Sequence, residues 1–223
     1  MRCAIIGCGR IGTKFDECHA AAYKQAGQEL IAACDVNLDQ AINACKKWSI
    51  PVACTDIGDL NAEAIEIVSI CTPPETHLAV VKEVMNLQFI KGIYLEKPIA
   101  TTLEDADEII RLCHEREIIL QVNHQRRFGR PAFFFSRGVL NTMSHGYDML
   151  RQLHIPIEMV DIVEIKTNKP IFELRIPTEG LIAKGVQHLI DCVENHKQSI
   201  SSGEEARESL KLCLEYMEKY GHS

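Results

Sequence analysis

The sequence predicts an α/β fold: a doubly wound parallel sheet over residues 1–124, then a smaller, truncated α+β C-terminal domain over 125–223. Three observations carry this. Short apolar runs alternate with amphipathic segments through the first 124 residues, the pattern of β-α-β units. A glycine triplet follows the first of those runs directly. The alternation then stops near residue 124, where Gln125-Arg-Arg-Phe-Gly-Arg-Pro131 reads as a turn out of the first unit.

The strands are predicted at Cys3–Ile6, Leu30–Cys34, Ile67–Cys71, Ile93–Leu95 and Ile118–Val122, with a weaker one at Val52–Cys54. Runs this short and this uniformly apolar suit strands buried on both faces. Helices are predicted at 11–26, 38–48, 75–88 and 103–116. Thr101-Thr102 offers an N-cap to the last of these, and Glu104 and Asp105 in its first turn suit the helix dipole. Beyond the turn, a helix at about 141–153, strands near 158–167 and 171–176, and helices at about 180–196 and 204–219 complete the chain.

The 223 residues are 46% hydrophobic and 25% charged, enough to bury a core. A net charge of −7 lacks the basic footprint that nucleic acid or anionic lipid would demand. The apolar runs fall short of the roughly 20 residues of a membrane span, and Met1 leads straight into a strand without a leader. A cytoplasmic protein is expected. The ten cysteines are spread along the chain without a Cys-x-x-Cys or zinc spacing, so no metal site is expected, and buried reduced thiols are the reading.

Gly7-Cys-Gly-Arg-Ile-Gly12 ends the first strand. In a dinucleotide-binding Rossmann unit the first glycine permits the tight turn, the second admits a pyrophosphate, and the third lets helix and sheet pack closely; Arg10 and Ile11 lie between them. The helix that follows would turn free N–H groups toward the anion. Asp35, ending the second strand, stands where a carboxylate holds a ribose 2′-hydroxyl and repels a 2′-phosphate, so NAD is expected and NADP less so. The bland alternatives are a glycine turn without a ligand and a plain strand-end aspartate.

Three further motifs follow the later strands: Cys71-Thr-Pro-Pro-Glu-Thr-His77, Leu95-Glu-Lys-Pro98 and Gln121-Val-Asn-His-Gln-Arg-Arg-Phe128. Together with Gly7–Gly12 they resemble the glucose-fructose oxidoreductase / inositol dehydrogenase / rhizopine-catabolism family (Gfo/Idh/MocA), closely over residues 1–128 and again at 138–153 and in the last two helices. The resemblance implies that Thr72, Pro73 and His77 lie along the cofactor and that Glu96, Lys97 and Asn123 stand at its nicotinamide end. Lys97 would be the proton acceptor, its amine losing pKa units beside a cationic nicotinamide.

The family's second domain resembles a broad antiparallel sheet that roofs the substrate pocket and forms the subunit interface. Here that part is short, so a homo-oligomer whose second chain covers the pocket is one expectation. The helix from Asn141 carries His145 and Asp148 on the same face, where the family has Asp-x-x-x-His-x-x-Asp. His145 would be a second proton-transfer group and Asn141 would orient the substrate hydroxyl. The same stripe also suits a solvated surface. Arg126, Arg127 and Arg130 could meet an anionic substrate or pair with carboxylates across a domain joint.

Two functions follow from the resemblance. One is an NAD-dependent oxidoreductase moving a hydride between nicotinamide and a secondary hydroxyl or keto group of a sugar, polyol or nucleotide sugar. The alternative is a non-catalytic NAD(P)-binding sensor or pathway-complex subunit.

Overall fold

The computed structural model describes residues 1–128 and 180–220. Six strands form one parallel sheet: β1 (Arg2–Ile6), β2 (Glu29–Cys34), β3 (Val52–Cys54), β4 (Ile67–Ile70), β5 (Gly92–Leu95) and β6 (Ile119–Val122). Their order is β3-β2-β1-β4-β5-β6. The chain thus winds outward one way from β1 and then returns to start again at β4, a Rossmann arrangement whose switch point lies between β1 and β4.

The helices are α1 (His19–Gln25), α2 (Leu38–Trp48), α3 (His77–Val84), α4 (Leu103–Glu115), α5 (Leu181–Glu194) and α6 (Gly203–Tyr220). Side-chain alternation divides the core between the two faces of the sheet. Cys3 and Ile5 of β1 pack with Tyr23 of α1, Ala41 of α2 and Val186 and Leu189 of α5. Ala4 and Ile6 join the other cluster, with Val81 of α3, Ile109 of α4 and Leu210 of α6. Because both faces are covered, the strands carry almost no solvent-facing positions, and this is why they appear in the sequence as unbroken apolar runs.

Local chemistry sets the helix limits. The Asn37 side chain accepts from Asp39 N at 3.0 Å and opens α2, which ends at Ser49 in the left-handed region (φ 54°). The expected cap at Thr102 is present, accepting from Asp105 N at 3.1 Å. The continuous helix predicted over 11–26 is not. Arg10–Lys14 forms one wide turn of π-helical geometry, Phe15 is extended, and α1 begins at His19. The Thr13 and Lys14 carbonyls, which a continuing helix would use, accept instead from Trp48 Nε1 at 2.6 Å and Lys47 Nζ at 2.8 Å. Docking against the end of α2 thus competes with helix propagation and wins.

The last two helices pack on the same sheet, one on each face. The segment between them covers the β6 edge: Val122 N donates to Ser201 O at 2.8 Å and Ser201 Oγ donates to Val122 O at 2.7 Å. The helix predicted at 141–153, the strands at 158–167 and 171–176, and with them Asn141, His145, Asp148 and Arg130, lie outside the described residues, as do the side chains of Arg126 and Arg127.

Candidate active site at the strand ends

The sheet's hydrogen-bond ladder runs one residue past β1, β4, β5 and β6. Gly7 N donates to Cys34 O (2.8 Å), Cys71 N to Ile6 O (2.7 Å), Glu96 N to Ile70 O (2.9 Å) and Asn123 N to Leu95 O (2.8 Å). The glycine loop, the Thr72-Pro73 turn, Glu96-Lys97 and Asn123 therefore start from one common edge, the carboxyl ends at the switch point where doubly wound sheets bind ligands.

The three glycines of the loop differ in what holds them. Gly7 has φ +94°, and a Cβ there would meet Cys71 C at 2.8 Å. At Gly12 a Cβ would lie 2.2 Å from Gly7 O, together with the Cys71 side chain at 3.3 Å. Both are demanded by the fold itself. Gly9 is not: its φ of −74° and ψ of −158° suit any residue, and a Cβ there meets nothing within 4 Å. Asp35 closes the loop from the β2 side, Oδ2 accepting from Cys8 N at 2.7 Å and Oδ1 from Asn37 N at 2.9 Å. Arg10 lies over the Phe15 ring at 4.7 Å, and Ile11 packs at the margin of the α1-side core.

At the β4 end, Thr72 keeps its Oγ1 out of water without a hydrogen-bond partner among the described residues. Pro73 is exposed and precedes the short turn Pro74–Thr76. His77 is fully buried, its Nδ1 3.1 Å from Ile99 O and Nε2 3.0 Å from Thr72 O. Burial pulls its pKa down, and the two carbonyl contacts oppose this without overcoming it. In this structure the ring ties the turn after β4 to the segment after β5.

Glu96 is 8% exposed and Lys97 half-buried. Glu96 Oε1 accepts from Asn123 Nδ2 at 2.5 Å and from His19 Nε2 at 2.8 Å, and Oε2 accepts from Lys97 N at 3.3 Å. Burial pushes the Glu96 carboxyl upward, but the His19 and Asn123 hydrogen bonds and the Lys97 charge outweigh it and hold the group below the usual carboxylate range. Asn123 is oriented in turn by Tyr94, whose hydroxyl donates to Asn123 Oδ1 at 2.7 Å.

His19 was not among the residues singled out from sequence. It is fully buried, with Nδ1 2.8 Å from Ser69 Oγ, and Ser69 Oγ is also 2.8 Å from Tyr23 OH. Two signals pointed to it. His19 and Tyr23 stand four apart on one face of α1, and Ser69 interrupts Ile67-Val-Ser-Ile70, a strand whose every residue is buried. A hydroxyl so placed needs a partner from the covering helix.

The family of oxidoreductases with an NAD-binding Rossmann fold matches residues 1–124. The chain is 32% identical over 139 residues to UDP-N-acetylglucosamine 3-dehydrogenase of Acidithiobacillus ferrooxidans, covering 61% of this chain and 41% of that one. It is 30% identical over 132 residues to myo-inositol 2-dehydrogenase of Thermotoga maritima, covering 58% and 38%. The chain spans about two fifths of the length of the curated relatives it matches. Among solved structures it resembles the Bordetella pertussis WlbA dehydrogenase in complex with NADH and UDP-GlcNAcA, with a TM-score of 0.72, 19% identity and coverage of 95% and 93%. The A. ferrooxidans enzyme superposes with a TM-score of 0.73 at 19% identity, covering 96% of each chain. The chain belongs to the Gfo/Idh/MocA family of oxidoreductases, whose NAD-binding Rossmann fold matches residues 1–124.

Proposed function

We propose that the protein is an NAD-dependent oxidoreductase acting on a secondary hydroxyl or keto group of a sugar, polyol or nucleotide sugar. The observation that carries this is Gly9. Neither its backbone angles nor its neighbours require glycine, whereas a dinucleotide pressed against the loop would. Gly7, Gly9, Arg10, Ile11 and Gly12 would line the pyrophosphate, Asp35 the adenosine ribose, and Thr72, Pro73, Glu96, Lys97 and Asn123 the nicotinamide half. His77 would act from beneath by holding the Thr72 turn. The Asp35 carboxylate favours NAD, since a 2′-phosphate there would meet like charge.

When bound, the nicotinamide supplies the hydride acceptor or donor. Lys97 takes the hydroxyl proton as substrate is oxidised, and the Glu96 carboxylate beside it stabilises the ammonium that forms. His145 as a second proton-transfer group and Asn141 as the residue orienting the hydroxyl belong to the same proposal. Relatives named for dehydrogenation of UDP-N-acetylglucosamine and of myo-inositol support the substrate class.

The test is calorimetric titration of NAD and NADP into the parent and Gly9→Ala. Gly9→Ala should keep the parent's unfolding midpoint and weaken NAD binding on the order of tenfold or more, the scale of one overpacked contact. NAD should bind the parent more tightly than NADP. Unchanged NAD affinity in Gly9→Ala would remove the observation on which the reading stands.

A further inference from the structure

The line of contacts Tyr23–Ser69–His19–Glu96 is costly to bury. Tyr23, Ser69 and His19 are fully excluded from water and Glu96 nearly so. Ser69 is no nucleophile, because it lies inside the sheet beneath Tyr23 and His19 with no route to a substrate. The hydrogen bonds point another way. An ionised Glu96 can only accept, so His19 Nε2 carries the proton of their 2.8 Å contact. With Tyr23 donating to Ser69 and Ser69 to His19 Nδ1, every proton along the line has an acceptor, and all donation ends on one carboxylate.

We propose that His19 is a positioning residue of the site: its Nε2–H keeps Glu96 ionised and aimed, and Glu96 in that state supports Lys97 as proton acceptor. The second half rests on the function proposed above. Among the described residues, the titratable groups facing Glu96 are His19 on α1, Cys71 after β4, His77 on α3, Tyr94 on β5 and Lys97 just after that strand. Burial pushes the Cys71 thiol and the Tyr94 phenol well up, so both stand neutral, and it pushes His77 toward the neutral ring. Asn123 offers only a neutral amide. Among the described residues, and apart from the Lys97 charge itself, His19 is therefore the group able to hold a carboxylate in this place. Remove it, and a buried acid left with the Asn123 amide and the long Lys97 backbone N–H contact takes up a proton, leaving Lys97 beside a neutral neighbour.

The experiment uses the full chain as parent, His19→Leu, His19→Gln, Glu96→Gln and Lys97→Ala. Isotope-edited infrared spectra report the charge of Glu96, its band assigned by its loss in Glu96→Gln. Near neutral pH the parent should show a carboxylate, His19→Leu a protonated acid, and His19→Gln, which restores an N–H donor, a carboxylate again. A carboxylate in His19→Leu overturns the proposal whether or not a substrate is in hand. If His19→Leu does not fold, His19→Phe, which keeps a ring but removes the donor, is read by the same infrared band: a protonated acid supports the proposal and a carboxylate overturns it. In turnover, His19→Leu should lose about tenfold or more, the scale of one hydrogen bond to a charged group, with NAD affinity kept. Full turnover in His19→Leu beside lost turnover in Lys97→Ala overturns this inference alone, whereas full turnover in Lys97→Ala overturns the proposed function.

Discussion

Glu96 and His77 each tie the stability of the fold to pH. The folded-state pKa of Glu96 lies below its ordinary 4.5, and that of His77 below its ordinary 6.5. In both cases the unfolded chain takes up protons first as pH falls. The stability each contributes is therefore complete above its unfolded value and is lost as pH drops through its folded one. Urea midpoints taken from neutral to acid pH should decline in two stages, the first beginning just below 6.5 and the second just below 4.5. His77→Gln should flatten the first stage and Glu96→Gln the second; a decline of unchanged shape in either variant would show that the group does not contribute. The glycines, Asp35, Thr72, Glu96, Lys97 and Asn123 were legible from the sequence because each sits at a fixed offset from a strand end, and offset is a sequence quantity. His19 carried only the weaker signals of its spacing from Tyr23 and of Ser69 within an apolar strand, because its role depends on α1 starting at residue 19 and lying over Ser69. Both facts follow from the docking of Thr13 and Lys14 on α2, a tertiary contact that no local pattern encodes.

At the scale of elements, α2 and α4 match their predicted limits closely because caps at Asn37 and Thr102 are local. The segment after Gly12 departs because its carbonyls are used elsewhere. α5 shows a third case. Its existence follows from amphipathic periodicity, but its seat on the sheet depends on Gly185, where a Cβ would lie 2.1 Å from the Tyr94 hydroxyl and 3.0 Å from the Phe128 ring. The tyrosine cannot retreat without giving up Asn123. Gly185 O also accepts from Gln121 Nε2 at 2.8 Å, and Gln121 Oε1 accepts from Ser199 Oγ at 2.9 Å. Ser69, Tyr94 and Gln121 are register neighbours across β4, β5 and β6, so one polar row crosses the α1–α5 face. Gly185→Ala should cost about 1–3 kcal/mol in urea unfolding, the usual penalty for overpacking, and should loosen Asn123. An unchanged midpoint would mean that α5 can shift outward freely.

For the molecule as a whole, the sheet order gathers the glycine loop, Thr72, Glu96-Lys97 and Asn123 at one edge. The fold class and the gathering of these loops at one edge were readable because the β-α-β rhythm dictates topology and topology dictates which loops meet. The substrate side was far less readable. Side chains that select a sugar are chosen by the shape of a pocket, and Asn141 and His145 are named by a family resemblance and their spacing, outside the described residues. Among the described residues, no helix is long and apolar enough to cross a membrane. We propose that Lys97, just past the end of β5, moves the proton of a sugar-type hydroxyl. The most direct test follows NADH formation by absorbance across a panel of sugars, polyols and nucleotide sugars with the parent and Lys97→Ala. The parent should turn over at least one panel member, and Lys97→Ala should lose about a hundredfold or more with NAD affinity intact, the scale of a lost general base. A parent that binds NAD but oxidises nothing in the panel, or a Lys97→Ala that turns over as fast as the parent, would contradict it.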